Sequence, residues 1–132
     1  MNNRFWNARN NNQGDFKTAL CVCSAGLLRS PTLAWVLSNP PFNFNTRAAG
    51  SSQSFAMIPV DNVLLHWADF VFFVNKENQE EVAHSFDLEG KHVITLNIPD
   101  NFRFRDPKLV EIIQQQLDKA RVDFQQQTGN TF

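Results

Sequence analysis

Short, unbroken apolar runs recur along the chain, each followed by a stretch whose apolar residues return at helical spacing. Thr18-Ala19-Leu20-Cys21-Val22 is the first run, and Ala19 to Val22 reads as a buried strand. Residues 30 to 38 follow as a helix. Ser30 can cap it, Pro31 suits its first position, and Asn39-Pro40-Pro41 stops it. Phe42 to Ala49 reads as a second strand, closed by Gly50-Ser51-Ser52. Val60, Val63, Leu64 and Trp67 fall on one face of a short helix over Pro59 to Trp67. Ala68 to Val74 is the clearest strand, because Phe70-Val71-Phe72-Phe73-Val74 is continuously apolar, as a strand covered on both faces must be. Asn75 to Phe86 is polar and helical, His92 to Ile98 is a fourth strand, and Asp106-Pro107 opens a last helix. Leu109, Ile112, Ile113, Gln116, Leu117 and Ala120 form that helix's inward face, and the polar tail from about Gln125 reads as frayed.

Strands alternating with helices predict a small α/β domain on a parallel sheet. The carboxyl ends of parallel strands share one edge, where ligands bind. Four segments should therefore converge: Cys23 to Arg29, Gly50 to Phe55, Asn75 to Asn78, and Pro99 to Phe104. The domain spans residues 18–124. An Asn-rich extension (1–17), which Phe5, Trp6 and Phe16 could pin to the body, precedes it, and a polar tail (125–132) follows.

Composition narrows the class. The chain has 132 residues, 42% hydrophobic, with 12 Lys+Arg against 13 Asp+Glu, which suits one globular domain. No basic stripe marks a nucleic-acid surface, and no apolar run could span a bilayer. Met1-Asn2-Asn3-Arg4 does not lead into the apolar stretch of a signal peptide, so a cytoplasmic protein is expected. The three histidines are scattered and no CxxC pair occurs, so neither a zinc site nor any other cofactor is expected. His66, His84 and His92 read as structural, Trp6, Trp35 and Trp67 as packing residues, and Lys76 to Glu81 as a solvated helix face. With 13 Phe and no Tyr, any aromatic pocket wall must be Phe or Trp.

The chemistry concentrates in Cys23-Ser24-Ala25-Gly26-Leu27-Leu28-Arg29-Ser30, between the first strand and the first helix. Successive N–H groups from Ser24 through Ala25, Gly26, Leu27 and Leu28 to Arg29 can curl around a phosphate-sized dianion, and the following helix adds its positive end. Gly26 permits a positive φ and close backbone approach. Arg29 can clamp two oxygens with its planar fork. The same donors favour the thiolate of Cys23, which can attack a bound phosphorus. A cysteine and an arginine at this spacing are by themselves unremarkable. The preceding strand, the internal glycine and the Ser-Pro helix start together point to an anion site.

This loop, continued through Pro31-Thr32, resembles the phosphate loop of the low-molecular-weight protein tyrosine phosphatases. Ala48-Ala49-Gly50-Ser51 is similar to that family's Ser-Ala-Gly-Thr stretch. Trp67 to Val74 resembles its Ala-Asp strand, and Ile98-Pro99-Asp100 falls where its catalytic aspartate stands. The resemblance covers residues 18 to 124 and is strongest toward the superfamily's short, predicted tyrosine-phosphatase branch. It implies a three-layer αβα fold with a four-stranded parallel sheet in the order 2-1-3-4. It also implies a metal-free two-step mechanism through a phosphocysteine, acting on phosphotyrosine proteins. Cys23 would be the nucleophile, Arg29 the clamp and Asp100 the general acid and base.

In that order the fourth strand lies about 10 Å from the first, so the Pro99-to-Arg105 loop must fold back over the site. Asp106 is a rival carboxylate that a helix cap explains well enough, and Asp69 serves the start of its strand. Ser30 is the candidate donor to the Cys23 sulfur. Phe102 is the candidate to flank a substrate ring, ahead of Phe55 and Leu27, though each taken alone reads as core.

Some positions depart from the family. Gly26 stands in place of an Asn that braces the loop, Leu28 in place of a second loop cysteine, and Ala48 in place of a serine. Asn101 and Phe102 replace two tyrosines. Two other functions use the same residues: thiol-dependent arsenate reduction, for which only Cys21 could relay a disulfide, and phosphate-dependent binding without turnover.

Overall fold

The computed structural model of the chain describes residues 17–24, 29–54, 56, 58–99 and 101–132. In chain order the elements are β1 (Thr18–Cys23), α1 (Arg29–Ser38), β2 (Asn45–Gly50), α2 (Asn62–Trp67), β3 (Phe70–Phe73), α3 (Lys76–Ser85), β4 (His92–Thr95) and α4 (Pro107–Thr128). The strands form one parallel sheet in the order β2-β1-β3-β4.

Side chains alternate across this sheet and so define two cores. Ala19, Cys21 and Cys23 of β1 and Phe70 and Phe72 of β3 face one side, where Leu33 and Leu37 of α1 and Leu109, Ile113 and Leu117 of α4 cover them. Leu20, Val22, Val71 and Phe73 face the other, under Leu64 and Leu65 of α2 and Val82 of α3. The result is the expected αβα sandwich in the expected strand order. The chain leaves β1 toward β2 in one direction and returns toward β3 and β4 in the other. Right-handed crossovers then require helices on opposite faces, and the switch in direction falls at the carboxyl ends of β1 and β3, where sheets of this kind hold ligands.

Several boundaries differ from the sequence reading. The second strand begins at Asn45, not Phe42. Phe42 lies in a turn in which Asn43 has φ 57, and Phe44 turns into the core. The second helix starts at Asn62, not Pro59, because Asp61 caps it by accepting from Leu64 N. The first helix opens at Arg29, so Ser30 and Pro31 lie inside its first turn rather than at its cap and first position.

The frayed tail expected from Gln125 is also corrected. α4 continues through Thr128 and closes at Gly129, whose φ of 76 suits the left-handed helix stop. The chain then folds back and buries Phe132, 5% exposed, among Phe42, Phe44, Phe70, Phe72 and Phe124. Ala19 pairs with Phe70, so this aromatic cluster lies toward the amino-terminal edge of the sheet, away from Cys23. Of the extension over 1–17, Lys17 alone is described. Its Nζ sits over the Phe70 ring and donates to Thr131 O. Phe5, Trp6 and Phe16 lie outside the described residues.

Candidate active site

β1 ends at Cys23, 3% exposed, on the α1 side of the sheet. Its Sγ lies 3.1 Å from Ser30 Oγ in the first turn of α1. Ser30 Oγ is also 3.4 Å from Ala49 O, within reach of a longer and weaker bond. The hydroxyl has one proton to give. A thiol can donate to Ser30 and let it bond Ala49 O, but a thiolate can only accept, so ionisation of Cys23 turns the Ser30 proton toward sulfur.

Arg29 opens α1 with its side chain buried, and Nη1 donates to Ile98 O at 3.0 Å. This bond ties the start of α1 to the segment leaving β4. The same segment is gripped from α4, where Gln116 accepts from Asn97 N and donates to Asn97 O. Gln116, expected on an apolar face, is therefore a backbone clamp. Further along, Arg105 N donates to Thr32 Oγ1 at 3.0 Å, and the Arg105 guanidinium sits by the Trp35 and Phe104 rings. Phe102 is half-buried and packs against the core on the α1 and α4 side of the sheet.

Beyond the strand ends the β1–β2 ladder continues. Ser51 N donates to Cys23 O at 2.7 Å and Ser52 N to Ser24 O at 3.0 Å. From α3, Asn78 Nδ2 donates to both Ser24 Oγ (3.1 Å) and Ser51 Oγ (3.0 Å), and Ser51 Oγ donates onward to Glu81 Oε1. The segments expected to converge after β1, β2 and β3 thus meet through Ser24, Ser51 and Asn78, while Arg29 meets the chain after β4 at Ile98, one residue before the expected Pro99-to-Phe104 segment. Asn78 and Glu81 fall in the stretch read as a solvated face. Glu81 is exposed, but Asn78 is buried. Its signal was available: Asn78, Val82 and Phe86 stand four residues apart, a polar residue heading an inward row.

Ala25, Gly26, Leu27, Leu28, Phe55 and Asp100 lie outside the described residues. Cys21, two residues before Cys23 on the same face, is fully buried. Burial pushes its thiol well above the ordinary range, and the neighbouring Cys23 adds to the effect. Among the described residues no group of His, Cys, Asp or Glu could hold a metal ion, and no helix is long and apolar enough to cross a membrane.

No family model matches the chain, and no curated protein matches it. Solved structures do. Wzb of Vibrio vulnificus, in complex with benzylphosphonate, superposes with a TM-score of 0.61 at 18% identity, covering 84% of this chain and 99% of its own. A low-molecular-weight phosphotyrosine phosphatase of Vibrio cholerae gives 0.59 at 20% identity, covering 86% and 99%. A thioredoxin-dependent arsenate reductase of Corynebacterium glutamicum gives 0.53 at 15% identity, covering 87% and 64%. The sheet order, the αβα layers and these superpositions agree: the chain has the fold of the low-molecular-weight phosphotyrosine phosphatases.

Proposed function

We propose that the protein is a cysteine-dependent phosphatase that hydrolyses phosphotyrosine and other aryl phosphate monoesters. The observation that carries this reading is the pairing of Cys23 Sγ with Ser30 Oγ at 3.1 Å, where β1 feeds α1 and Arg29 opens the helix. In the first step the Cys23 thiolate attacks phosphorus, the P–O bond to the aryl group breaks, and Asp100 gives its proton to the leaving phenolate. Backbone N–H groups of Ser24, Ala25, Gly26, Leu27 and Leu28 and the Arg29 fork hold the equatorial oxygens. In the second step Asp100 takes a proton from water, the water oxygen attacks phosphorus, and the S–P bond breaks. Ser30 donates to the departing thiolate, and phosphate leaves.

Phe102 flanks the phenyl ring in this reading. The substrate is a phosphotyrosine protein, met in the cytoplasm, and neither nucleic acid nor membrane takes part. The anchoring of Asn97 and Ile98 supports Asp100 in its role, because both grips lie within three residues of it.

The likeness to an arsenate reductase favours a second reading, thiol-dependent arsenate reduction. Cys21 would then have to relay a disulfide, yet it is fully buried on the same strand as Cys23. Strand residues two apart lie about 6.6 Å from each other along the strand, at the far limit of disulfide geometry, so this reading ranks below the first.

The test is an aryl phosphate rate profile against pH for wild type, Cys23→Ser and Asp100→Asn. Cys23→Ser should lose at least about a thousandfold in kcat. Asp100→Asn should lose about a hundredfold in kcat/KM and flatten the basic limb of the profile. Hydrolysis that survives the serine change would sink the proposal, and thiol-driven arsenate turnover without phosphatase activity would replace it with the second reading.

A further inference from the structure

Among the described residues, two hydrogen-bonding groups at Ser24 and Asn78 are left without a partner. Asn78 is 1% exposed, and its Oδ1 is buried without a partner. Ser24 Oγ accepts from Asn78 Nδ2, and its own proton has no acceptor among the described residues.

The direction of this chain of bonds is fixed from its far end. Glu81 Oε1, as a carboxylate oxygen, only accepts, so Ser51 must donate its single proton there. Ser51 Oγ can then only accept from residue 78, so the amide nitrogen of Asn78, not its oxygen, faces the two serines. The second amide proton goes to Ser24 Oγ. Ser24 therefore cannot point its proton back toward α3. Its backbone is also held, because Ser24 O accepts from Ser52 N and Cys23 O from Ser51 N. The hydroxyl proton at the root of the loop is thus not taken up by Asn78.

We propose that Asn78 is a positioning residue: it holds the Ser24 hydroxyl as a hydrogen-bond donor to the tetrahedral oxyanion bound in the Cys23–Arg29 loop. This rests on the anion-site part of the functional reading and does not require turnover. No covalent step is involved. The effect is electrostatic, a donor set in place before the charge arrives. It also assigns α3 a task that the sequence did not reveal: a brace from outside the loop, in a chain where Gly26 offers no bracing side chain from within.

The test is calorimetric binding of inorganic phosphate to the intact protein and to Asn78→Ala, Asn78→Asp, Ser24→Ala and the Asn78→Ala/Ser24→Ala double variant. Each is measured at a temperature where circular dichroism shows it folded. Asn78→Ala should weaken phosphate about tenfold, one charge-assisted hydrogen bond. Asn78→Asp is nearly isosteric, but its carboxylate accepts the Ser24 proton and repels the dianion, so it should weaken binding about a hundredfold. In the Ser24→Ala background the Asn78→Ala change should cost less than about threefold, because the group through which it acts is gone.

A merely structural Asn78 would give equal losses in the two backgrounds, and that result overturns the proposal, as does unchanged phosphate affinity in Asn78→Asp. Coupling between Ser24 and Asn78 in a protein that binds phosphate but hydrolyses no aryl phosphate would support the inference and defeat the phosphatase reading. Turnover without coupling would do the reverse. A wild-type protein that binds no phosphate overturns both.

Discussion

At the scale of single residues, Cys23, Ser30 and Arg29 would each do, in the proposed phosphatase, something that a similar residue could not. Arg29→Lys keeps the charge but loses the planar fork, and a lysine could not hold both Ile98 O and the two phosphate oxygens that the proposed mechanism assigns to Arg29. It should cost about a hundredfold in kcat/KM on an aryl phosphate, measured by steady-state kinetics. Ser30→Ala removes the hydroxyl that faces the Cys23 sulfur, so in the proposed mechanism the loss should fall on breakdown of the phosphocysteine and thus on kcat more than on KM.

Cys21 makes a different prediction. Its folded-state thiol is pushed up by burial, so above about pH 8.5 the unfolded chain releases a proton that the folded chain keeps. The unfolded state then binds fewer protons, and stability falls as pH rises. The slope is at most about 1.4 kcal/mol per pH unit between the unfolded and folded values, and stability below pH 8 is untouched. Urea denaturation across pH 7 to 10 reads this directly, and Cys21→Ala should remove its share of the slope.

At the scale of elements, legibility followed the kind of signal each element carries. β3 was plain because Phe70-Val71-Phe72-Phe73-Val74 has no polar position, and only a strand covered on both faces needs that. The loop between β1 and α1 draws attention in the sequence because the proposed nucleophile, Cys23, and the proposed clamp, Arg29, sit in one short segment. β2 was misjudged at its start because Phe42 and Phe44 look like strand residues, but Asn43 breaks the line with a positive φ.

Spacing can set Asn78 and Gln116 on inward rows but does not reveal their roles, because a polar side chain takes its meaning from a partner on another element. Phe132 was missed because an isolated aromatic after a polar stretch has no periodicity to report it. Its ring contacts predict a measurable role. Phe132→Ala, or removal of residues 130–132, should cost about 3 kcal/mol in urea denaturation while leaving the active-site chemistry intact.

At the scale of the whole molecule, the two edges of the sheet divide the work. The amino-terminal edge carries the aromatic cluster of Phe44, Phe70, Phe124 and Phe132, which fixes the sandwich. The carboxyl-terminal edge gathers polar groups from every layer: Ser24 after β1, Ser51 after β2, Asn78 on α3, Ile98 after β4, and Arg29 and Ser30 on α1. The catalytic site proposed at this edge would need no large hydrophobic pocket, only donors aimed at one point. The central claim is that Cys23 takes the phosphoryl group covalently. Acid quench of the protein during turnover of an aryl phosphate, followed by peptide mass spectrometry, tests it most directly. A phosphoryl adduct on the peptide carrying Cys23, absent from Cys23→Ser and more abundant in Ser30→Ala, is the predicted result. Steady turnover with an unmodified Cys23 peptide, or an adduct on another residue, would contradict it.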